Sequence, residues 1–558
     1  MPQLTVLVIG GYGTFGGRLV TLLADEPRLE IIVAGRSLSA AREFCRMAAK
    51  AALVPALFDR AGDVEAQLAR LRPNIVVDAS GPFQHYDDDP YRIVRGALAA
   101  GADYLDLADA ADFVIGIAAL DDVARQSGRF ALSGVSSFPM LSAAVVRKLA
   151  AGLAHVDTIT AGVAPSPYAG VGLNVVRAIA SYAGKPIAVT EKGRSTFRYG
   201  LIDSRRMIVN VPGRVPLPAI RFGLVEVPDL QVLARDWPDV RSIWAGAGPT
   251  PALLHRLLWA CAWPVRLRVL PSLRPFARIM NTVINTVRWG EHRGGMIVEV
   301  TGRRPDGSSA HQAWHLIAEG DDGPYIPSIG AEAVVRLVLD GRRPAAGARS
   351  GHRDLELDDY APLLAKRAIY TGVRSRDDGG SLYEQALGEA ADRLSKPVRD
   401  LHRLHAPSRW EGRGKVTRGS GILAALVAAI MRFPRAQADC PVTVELTRTP
   451  DGKELWRRTF GRDRFSSSHE AGRGRWSGLV VERFGPLAFA MAVVEEGGKL
   501  RIVPRYWSAF GIPMPRWLGP RADALEHAAD GRFNFDVAMH LPLVGLVVHY
   551  RGWLEPVD

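Results

Sequence analysis

Residues 4–16 read Leu4-Thr5-Val6-Leu7-Val8-Ile9-Gly10-Gly11-Tyr12-Gly13-Thr14-Phe15-Gly16. The first six form a short, mostly apolar run that stops at glycine, which predicts a strand buried on both faces of a parallel sheet. Helical spacing begins over 15–23. Gly11, Gly13 and Gly16 make a GxGxxG, and Gly10, Gly13 and Gly16 make a GxxGxxG. Between a strand and a helix this spacing has a physical purpose. Glycine permits a tight turn and close backbone approach to a pyrophosphate, and the helix N-terminus offers free N–H donors and a positive dipole end. The alternative reading is a purely structural turn. Gly10, Gly11, Tyr12, Gly13, Thr14, Phe15 and Gly16 are the first candidate contacts of a dinucleotide.

Working outward, strand-like and helix-like patterns alternate through residue 132. Strands are expected near 31–34, 54–58, 75–79, 104–107 and 130–132, with helices over 40–51, 64–71 and 91–100 between them. That order predicts a doubly wound parallel sheet with right-handed crossovers. The end of the second strand discriminates between cofactors. An NAD site places Asp or Glu there for the ribose 2′-OH, but this chain has Ala34-Gly35-Arg36-Ser37. Arg36 offers a charged fork for a 2′-phosphate and Ser37 a hydroxyl, so NADP is favoured over NAD. The plainer reading of Arg36 is a solvated surface arginine. Asp59 closes the third strand, either to meet the adenine amino group or to cap the next helix. Ser80, Gly81, Pro82 and Phe83 follow the fourth strand and are expected beneath the nicotinamide.

Past residue 150 the pattern changes. Residues 151–350 mix strand-like 156–163, 296–301 and 313–318 with helix-like 171–182 and 332–339, predicting a middle α+β substrate and dimerisation domain. Within it, 253–293 interleaves Leu, Trp, Val and Ile with Arg256, Arg266, Arg268, Arg274, Arg278 and Arg288, and Pro264, Pro271 and Pro275 break it into short pieces. It reads either as a buried helical hairpin at a homodimer interface or as an amphipathic patch for lipid or a greasy substrate. Residues 351–380 read as a linker. Residues 381–558 begin with a helical stretch over 382–404. Many short strands with glycine turns follow, predicting a mainly antiparallel β C-terminal domain, curved or partly closed into a barrel.

The 558 residues suit about three domains, and 47% hydrophobic against 23% charged residues exclude wholesale disorder. The three cysteines, Cys45, Cys261 and Cys440, are far apart, which excludes a disulfide framework and points to a reducing, cytoplasmic compartment. The net charge of +12 is uneven: −2 over 1–150, +9 over 151–350 and +5 beyond. No RNA-module or zinc-finger pattern accompanies it, so nucleic acid is not expected as a partner. Contact with the inner membrane face, or an acidic substrate, suits the middle region better. The opening residues lack the basic start of a signal peptide. The longest apolar run, ILAALVAAIM over 422–431, is too short to span a bilayer.

GGYGTFG, AGRS, VVDASGPF, Ala102-Asp103-Tyr104-Leu105-Asp106 and Ser133-Gly134-Val135-Ser136-Ser137-Phe138-Pro139 together resemble the saccharopine dehydrogenase-like NAD(P)-binding proteins, which include trans-acting enoyl reductases. The resemblance covers about residues 1–350 and continues weakly at Gly323-Pro324-Tyr325-Ile326-Pro327. After the YLD segment the family usually carries an acidic turn, often GE; here Ala108-Asp109 stands there. The last region resembles an uncharacterised domain found fused behind such reductases. The resemblance implies an NADP-dependent oxidoreductase. The greasy 253–293 stretch suits a hydrophobic, lipid-like substrate better than saccharopine, although a true saccharopine dehydrogenase remains an alternative. A non-catalytic NADP-binding sensor or scaffold, and a lipid-binding protein with a regulatory Rossmann domain, are the rivals from other classes. For the proton donor, Tyr104, Asp106 and His85 are candidates and each could be structural. His402/His405 and His311/His315 lack carboxylate or cysteine company and read as ordinary histidines, so no metal is expected. Asp87-Asp88-Asp89 reads as an acidic helix start. Ser466–His469 has no readable partner Asp.

Overall fold

The computed structural model describes residues 3–85, 89–375, 380–542 and 544–557. Asp87, Asp88 and the side chain of His85 lie outside what is described. The chain forms two compact units, 1–207 with 220–370 and 208–219 with 371–558.

The first unit opens with a seven-stranded parallel sheet. In spatial order its strands are Gly347–Ser350, Phe130–Ser133, Asp103–Asp106, Ile75–Asp78, Leu4–Ile9, Leu29–Gly35 and Ala52–Leu57. The chain winds outward in one direction from Leu4–Ile9 and then returns to its other side at Ile75–Asp78. That reversal leaves a crevice at the strand C-termini. Val6, Leu7 and Val8 are fully buried, as the apolar run requires. The sheet is an α/β Rossmann-like layer. Its outermost strand comes from 347–350, far along the chain, and pairs in parallel with Phe130–Ser133.

The rest of this unit is a mixed sheet. At its centre His155–Ala164 pairs in parallel with Ser242–Ala247 and antiparallel with Arg293–Arg303, which in turn pairs with Ser309–Glu319. The 253–293 stretch is less fragmented than its prolines suggest. Helix Ala252–Arg266 runs through Pro264, and Ala277–Thr286 is a second helix. Pro264 lies near the C-terminal end of this helix, so the i−4 hydrogen bond it cannot donate is lost only in the last turn.

Residues 351–375 are not a linker. Gly351–Arg353 is a 3₁₀ turn, Leu357–Leu364 a helix and Ile369–Ser375 a strand. Their charged residues mask four buried anchors, Leu355, Tyr360, Leu363 and Leu364.

The second unit is an antiparallel barrel. Ten strands close on themselves: Ser408–Arg418, Gln437–Arg448, Glu454–Phe460, Asp463–Ala471, Val480–Phe484, Leu487–Glu496, Lys499–Ala509, Arg521–Ala529, Arg532–Leu541 and Gly545–Val557, the ring completed by Leu487–Glu496 against Lys499–Ala509. Closure leaves no free edge. The expected helix over 382–404 is broken into Leu382–Leu387, a 3₁₀ segment Gly388–Arg393 and Lys396–His402. Residues 208–219 join this unit: Arg374 Nε donates to the Asn210 carbonyl at 2.7 Å, and Glu495 N–H to that of Gly213 at 3.1 Å.

Candidate functional site

The glycine loop is held by its own backbone. Gly10 and Gly11 N–H donate to Ala34 O at 2.8 and 3.1 Å, and Gly13 N–H donates to Gly10 O at 2.8 Å. Gly10 has φ +77°, which favours glycine. A Cβ on Gly11 would lie 2.8 Å from Val8 O, and one on Gly16 only 2.2 Å from Gly10 O. Gly13 differs: its Cβ would meet nothing beyond the loop itself. The fold needs Gly11 and Gly16, whereas Gly13 borders open space. The N–H groups of Tyr12, Thr14 and Phe15 donate to no described group. A turn with free donors at the start of helix Gly16–Leu23 fits a pyrophosphate.

Beside it, the Tyr12 hydroxyl accepts from Ser37 N–H at 2.9 Å, and its ring lies so close to Gly35 that a Cβ there would meet it at 2.5 Å. Ser37 Oγ accepts from Ala40 N–H at 3.2 Å and caps helix Leu38–Phe44. Arg36 is exposed and, among the described residues, has no ion-pair partner. Asp59 is not the cap of the following helix; Asp63 is, accepting from Ala66 N–H at 2.9 Å. Asp59 instead accepts from Ala61 N–H at 3.1 Å and is exposed.

The loop after Ile75–Asp78 forms the opposite wall. Asp78 Oδ1 takes the Ser80 N–H at 2.9 Å and its hydroxyl at 2.6 Å. Gly81 O accepts from Asn174 Nδ2 at 2.8 Å, Arg18 donates to Ala169 O at 3.1 Å, and Gly172 abuts Thr14. Phe83 packs on Phe113 with ring centroids 5.1 Å apart. Residues 169–174 thus lie across the mouth of the glycine loop, and sequence reading missed them. Gly170-Val171-Gly172 leading into helix Leu173–Tyr182 was the available signal. Asn281 and Asn285, on helix Ala277–Thr286, donate to Val171 O at 2.8 and 3.0 Å, so the greasy stretch anchors that cover.

Tyr104 and Asp106 are both fully buried. Asp106 Oδ1 accepts from Ala108 N–H, Gly134 N–H and Ser133 Oγ at 2.9, 2.8 and 3.0 Å, clamping two strand-end turns together. Burial, aided by repulsion from Asp78, pushes its carboxyl up to about 7 against those hydrogen bonds. Asp109 has a different setting. Its Oδ1 accepts from Gln84 Nε2 at 2.9 Å, which ties it to the loop next to Phe83, and desolvation raises its carboxyl. Glu226 is raised too, by desolvation and by Asp112 and Asp109, and Tyr182 is raised by burial and by Asp109 and Glu226. Asp109, Asp112, Glu226 and Tyr182 therefore lie near enough to perturb one another.

A second polar cluster lies inside the barrel. Tyr383 Oη meets His469 Nδ1 at 3.0 Å, Glu482 Oε1 lies 3.0 Å from His469 Nε2 and 2.7 Å from Ser467 Oγ, and Arg458 donates to Ser467 Oγ at 2.8 Å. His402 pairs with Glu526 alongside. Ser467 and Glu482 share one imidazole nitrogen, so this is not a relay for a serine nucleophile, which needs the carboxylate on the other nitrogen. Burial alone would raise Glu482, but the charges and hydrogen bonds of His469, Arg458 and Ser467 outweigh it and hold the carboxyl down to about 2.

Residues 6–132 match the saccharopine dehydrogenase NADP-binding domain, and residues 394–554 match a domain of unknown function. No curated protein matches the chain. Among solved structures, the apo saccharopine dehydrogenase (L-Glu forming) of Saccharomyces cerevisiae is 12% identical over 67% of this chain and 99% of its own, with a TM-score of 0.47. GenD2 from gentamicin A biosynthesis, in complex with NAD, is 16% identical over 65% and 91%, with a TM-score of 0.30. The WlbA dehydrogenase of Thermus thermophilus, in complex with NAD and α-ketoglutarate, is 14% identical over 66% and 93%, with a TM-score of 0.28.

Proposed function

We propose that this NAD(P)-dependent oxidoreductase, whose first region is a saccharopine dehydrogenase-type NADP-binding domain, uses NADPH to reduce a hydrophobic substrate. The observation that carries the cofactor choice is Arg36: exposed, unpaired among the described residues, and standing where an NAD site would hold a carboxylate. The free N–H groups of Tyr12, Thr14 and Phe15 hold the pyrophosphate. Ser37 adds a donor near the 2′-phosphate, Asp59 faces the adenine side, and Ser80 to Phe83 lie beneath the nicotinamide. NADPH supplies the hydride. Asp109 is the proposed proton donor: its raised carboxyl stays protonated nearer neutrality, and Gln84 fixes its Oδ1 beside the nicotinamide loop.

The substrate class rests on 253–293. Leu253, Leu257, Trp259 and Trp263 are each at least 37% exposed, and residues 240–290 contain no Asp or Glu. These helices, tied to 169–174 through Asn281 and Asn285, serve as the cover through which a greasy molecule reaches the crevice. NADPH oxidation followed by absorbance, on addition of long-chain enoyl or isoprenoid compounds to the full chain, tests the reading. Turnover with these and not with saccharopine is the expected result. Turnover confined to the polar dicarboxylic amino acid overturns it.

A further inference from the structure

The barrel's two ends differ in chemistry. At one end lie the tight polar turns at Asp451-Gly452, Gly497-Gly498 and Asp530-Gly531 and the longer connection 472–479, whose Trp476 and Leu479 pack into an apolar cluster. Ladder register places the opposite ends of these strands together, since Arg418 pairs with Val548, Leu541 with Gly545, Arg521 with His540 and Leu487 with Ala509. Helix Ile422–Ile430 and loop 510–520 both project there. Of the large apolar side chains that the second unit exposes among the described residues, all but Val557 belong to these two projections: Ile422 89%, Leu423 58%, Leu426 55%, Ile430 69%, Phe510 81%, Ile512 64% and Trp517 71%.

The helix is inside-out. Its buried residues are Ala424 and Ala428, with Val427 partly packed on the core, while its larger Ile422, Leu423, Leu426 and Ile430 face water. Packing within the chain would select the reverse, because burying a leucine gains far more than burying an alanine. Exposed apolar side chains gathered on two projections at one end of the barrel mark a binding face.

Charge selects the occupant. The connections at this end, 419–436, 461–462, 485–486, 510–520 and 542–544, hold four arginines (Arg432, Arg435, Arg462 and Arg516) and no Asp or Glu. Arg435 pairs with Asp463, and Arg432 and Arg462 are exposed. A second copy docking face to face would set arginine against arginine. Exposed aliphatics, a tryptophan and arginines at one level instead match the boundary of an anionic bilayer, where apolar side chains enter the acyl region and guanidinium groups meet phosphate.

We propose that this end of the barrel docks peripherally on anionic lipid surfaces through Ile422, Leu426, Ile430, Phe510 and Trp517, with Arg432 and Arg462 at the headgroups. The proposal is independent of the reductase reading and of the 253–293 stretch. The test is co-sedimentation of the full chain with phosphatidylcholine vesicles, with and without phosphatidylglycerol, at low and high salt. Binding to the mixed vesicles, weakened by salt, is expected. Leu426→Ser with Ile430→Ser should lower it by more than tenfold, and Arg432→Gln with Arg462→Gln by about tenfold, at roughly 1 kcal/mol per arginine or somewhat less. These positions are exposed, so circular dichroism and dinucleotide titration should match wild type. Binding unchanged by both double variants, or no binding at low salt, overturns the proposal. Concentration-dependent association abolished by Leu426→Ser with Ile430→Ser, without vesicle binding, assigns the face to self-assembly instead.

Discussion

The glycine loop of the first unit and the buried cluster of the barrel are built by opposite means. The loop is made of backbone, contiguous over seven residues, and nearly devoid of polar side chains. The barrel cluster is made of side chains brought together from Tyr383, Arg458, His469 and Glu482, up to about a hundred positions apart. Backbone chemistry dictates glycine at Gly11 and Gly16, because a Cβ there would collide with Val8 O and Gly10 O. Side-chain chemistry dictates only that charges and hydrogen bonds balance. The contrast predicts that the loop is sensitive to bulk and the cluster to charge.

The largest expected effect breaks the cluster. Arg458→Met leaves Glu482 with His469 and the Ser467 hydroxyl but without its guanidinium, and removing one partner of a buried pair costs about 3–5 kcal/mol. Urea melts of the barrel should show it, while dinucleotide affinity stays as in wild type. A loss of affinity of similar size would show that the two regions do not act separately.

Gly13→Val should lower dinucleotide affinity at least a hundredfold, about 2.7 kcal/mol, with the melting temperature nearly unchanged, because the new side chain occupies open space beside the free N–H groups. Gly16→Ala should lower both affinity and stability, since its Cβ would collide with Gly10 O. Titration and thermal melting of the pair separate the binding glycine from the folding glycine. Retained NADPH stabilisation in Gly13→Val would reduce the loop to a structural turn.

Arg36→Asp should weaken NADPH by about ten- to a hundredfold, the value of one charge-assisted contact at roughly 1.5–3 kcal/mol. NADH should be unaffected or improved. Equal titration of the two cofactors by wild type would remove the basis for choosing NADPH.

The last effect concerns pH, where the first sheet and the barrel cluster respond in opposite directions. Glu482 is depressed in the fold, so its contribution is present above about 4.5 and is lost as pH falls toward about 2. Asp106 is raised, so its contribution is present below about 3.8 and is lost as pH rises through about 7. Stability measured between pH 5 and 8 should decline in wild type. The decline should shrink in Asp106→Asn, which keeps an oxygen acceptor but cannot ionise. An unchanged slope would show that Asp106 is already ionised at pH 5.

The first sheet was legible because most of its strands are apolar runs closed by a turn residue, and the crevice followed from its winding. The seventh strand was not, since Gly347-Ala348-Arg349-Ser350 has no apolar run and pairs with a strand more than two hundred residues earlier. The helix and strand within 351–375 were hidden by exposed Arg and Asp around a few buried anchors. In the site, Arg36 and the glycines could be read from local spacing. Asn174 and Gln84 could not, because their importance lies in what they touch across the fold. Asp109 stood in a recognisable place, after the YLD segment, yet its raised carboxyl depends on burial that no local pattern encodes. The barrel's strands were visible as alternation. Their closure was not, since it depends on the pairing of Leu487–Glu496 with Lys499–Ala509, which completes the ring.

The chain passes between its two units at 207/208, at 219/220 and again at 370/371. A gene truncated near residue 370 would therefore not yield a clean first unit. It would leave 208–219 behind, with Val209, Val211 and Leu217, all buried in the intact chain, stripped of the barrel they belong to. Nor would a fragment starting at 371 be a whole barrel, since Arg374 would lose the Asn210 carbonyl. Residues 208–219, which interrupt the sequence of the first unit, belong to the barrel unit. Cloning one without the other calls for excising or grafting that twelve-residue loop, not for choosing a better end point.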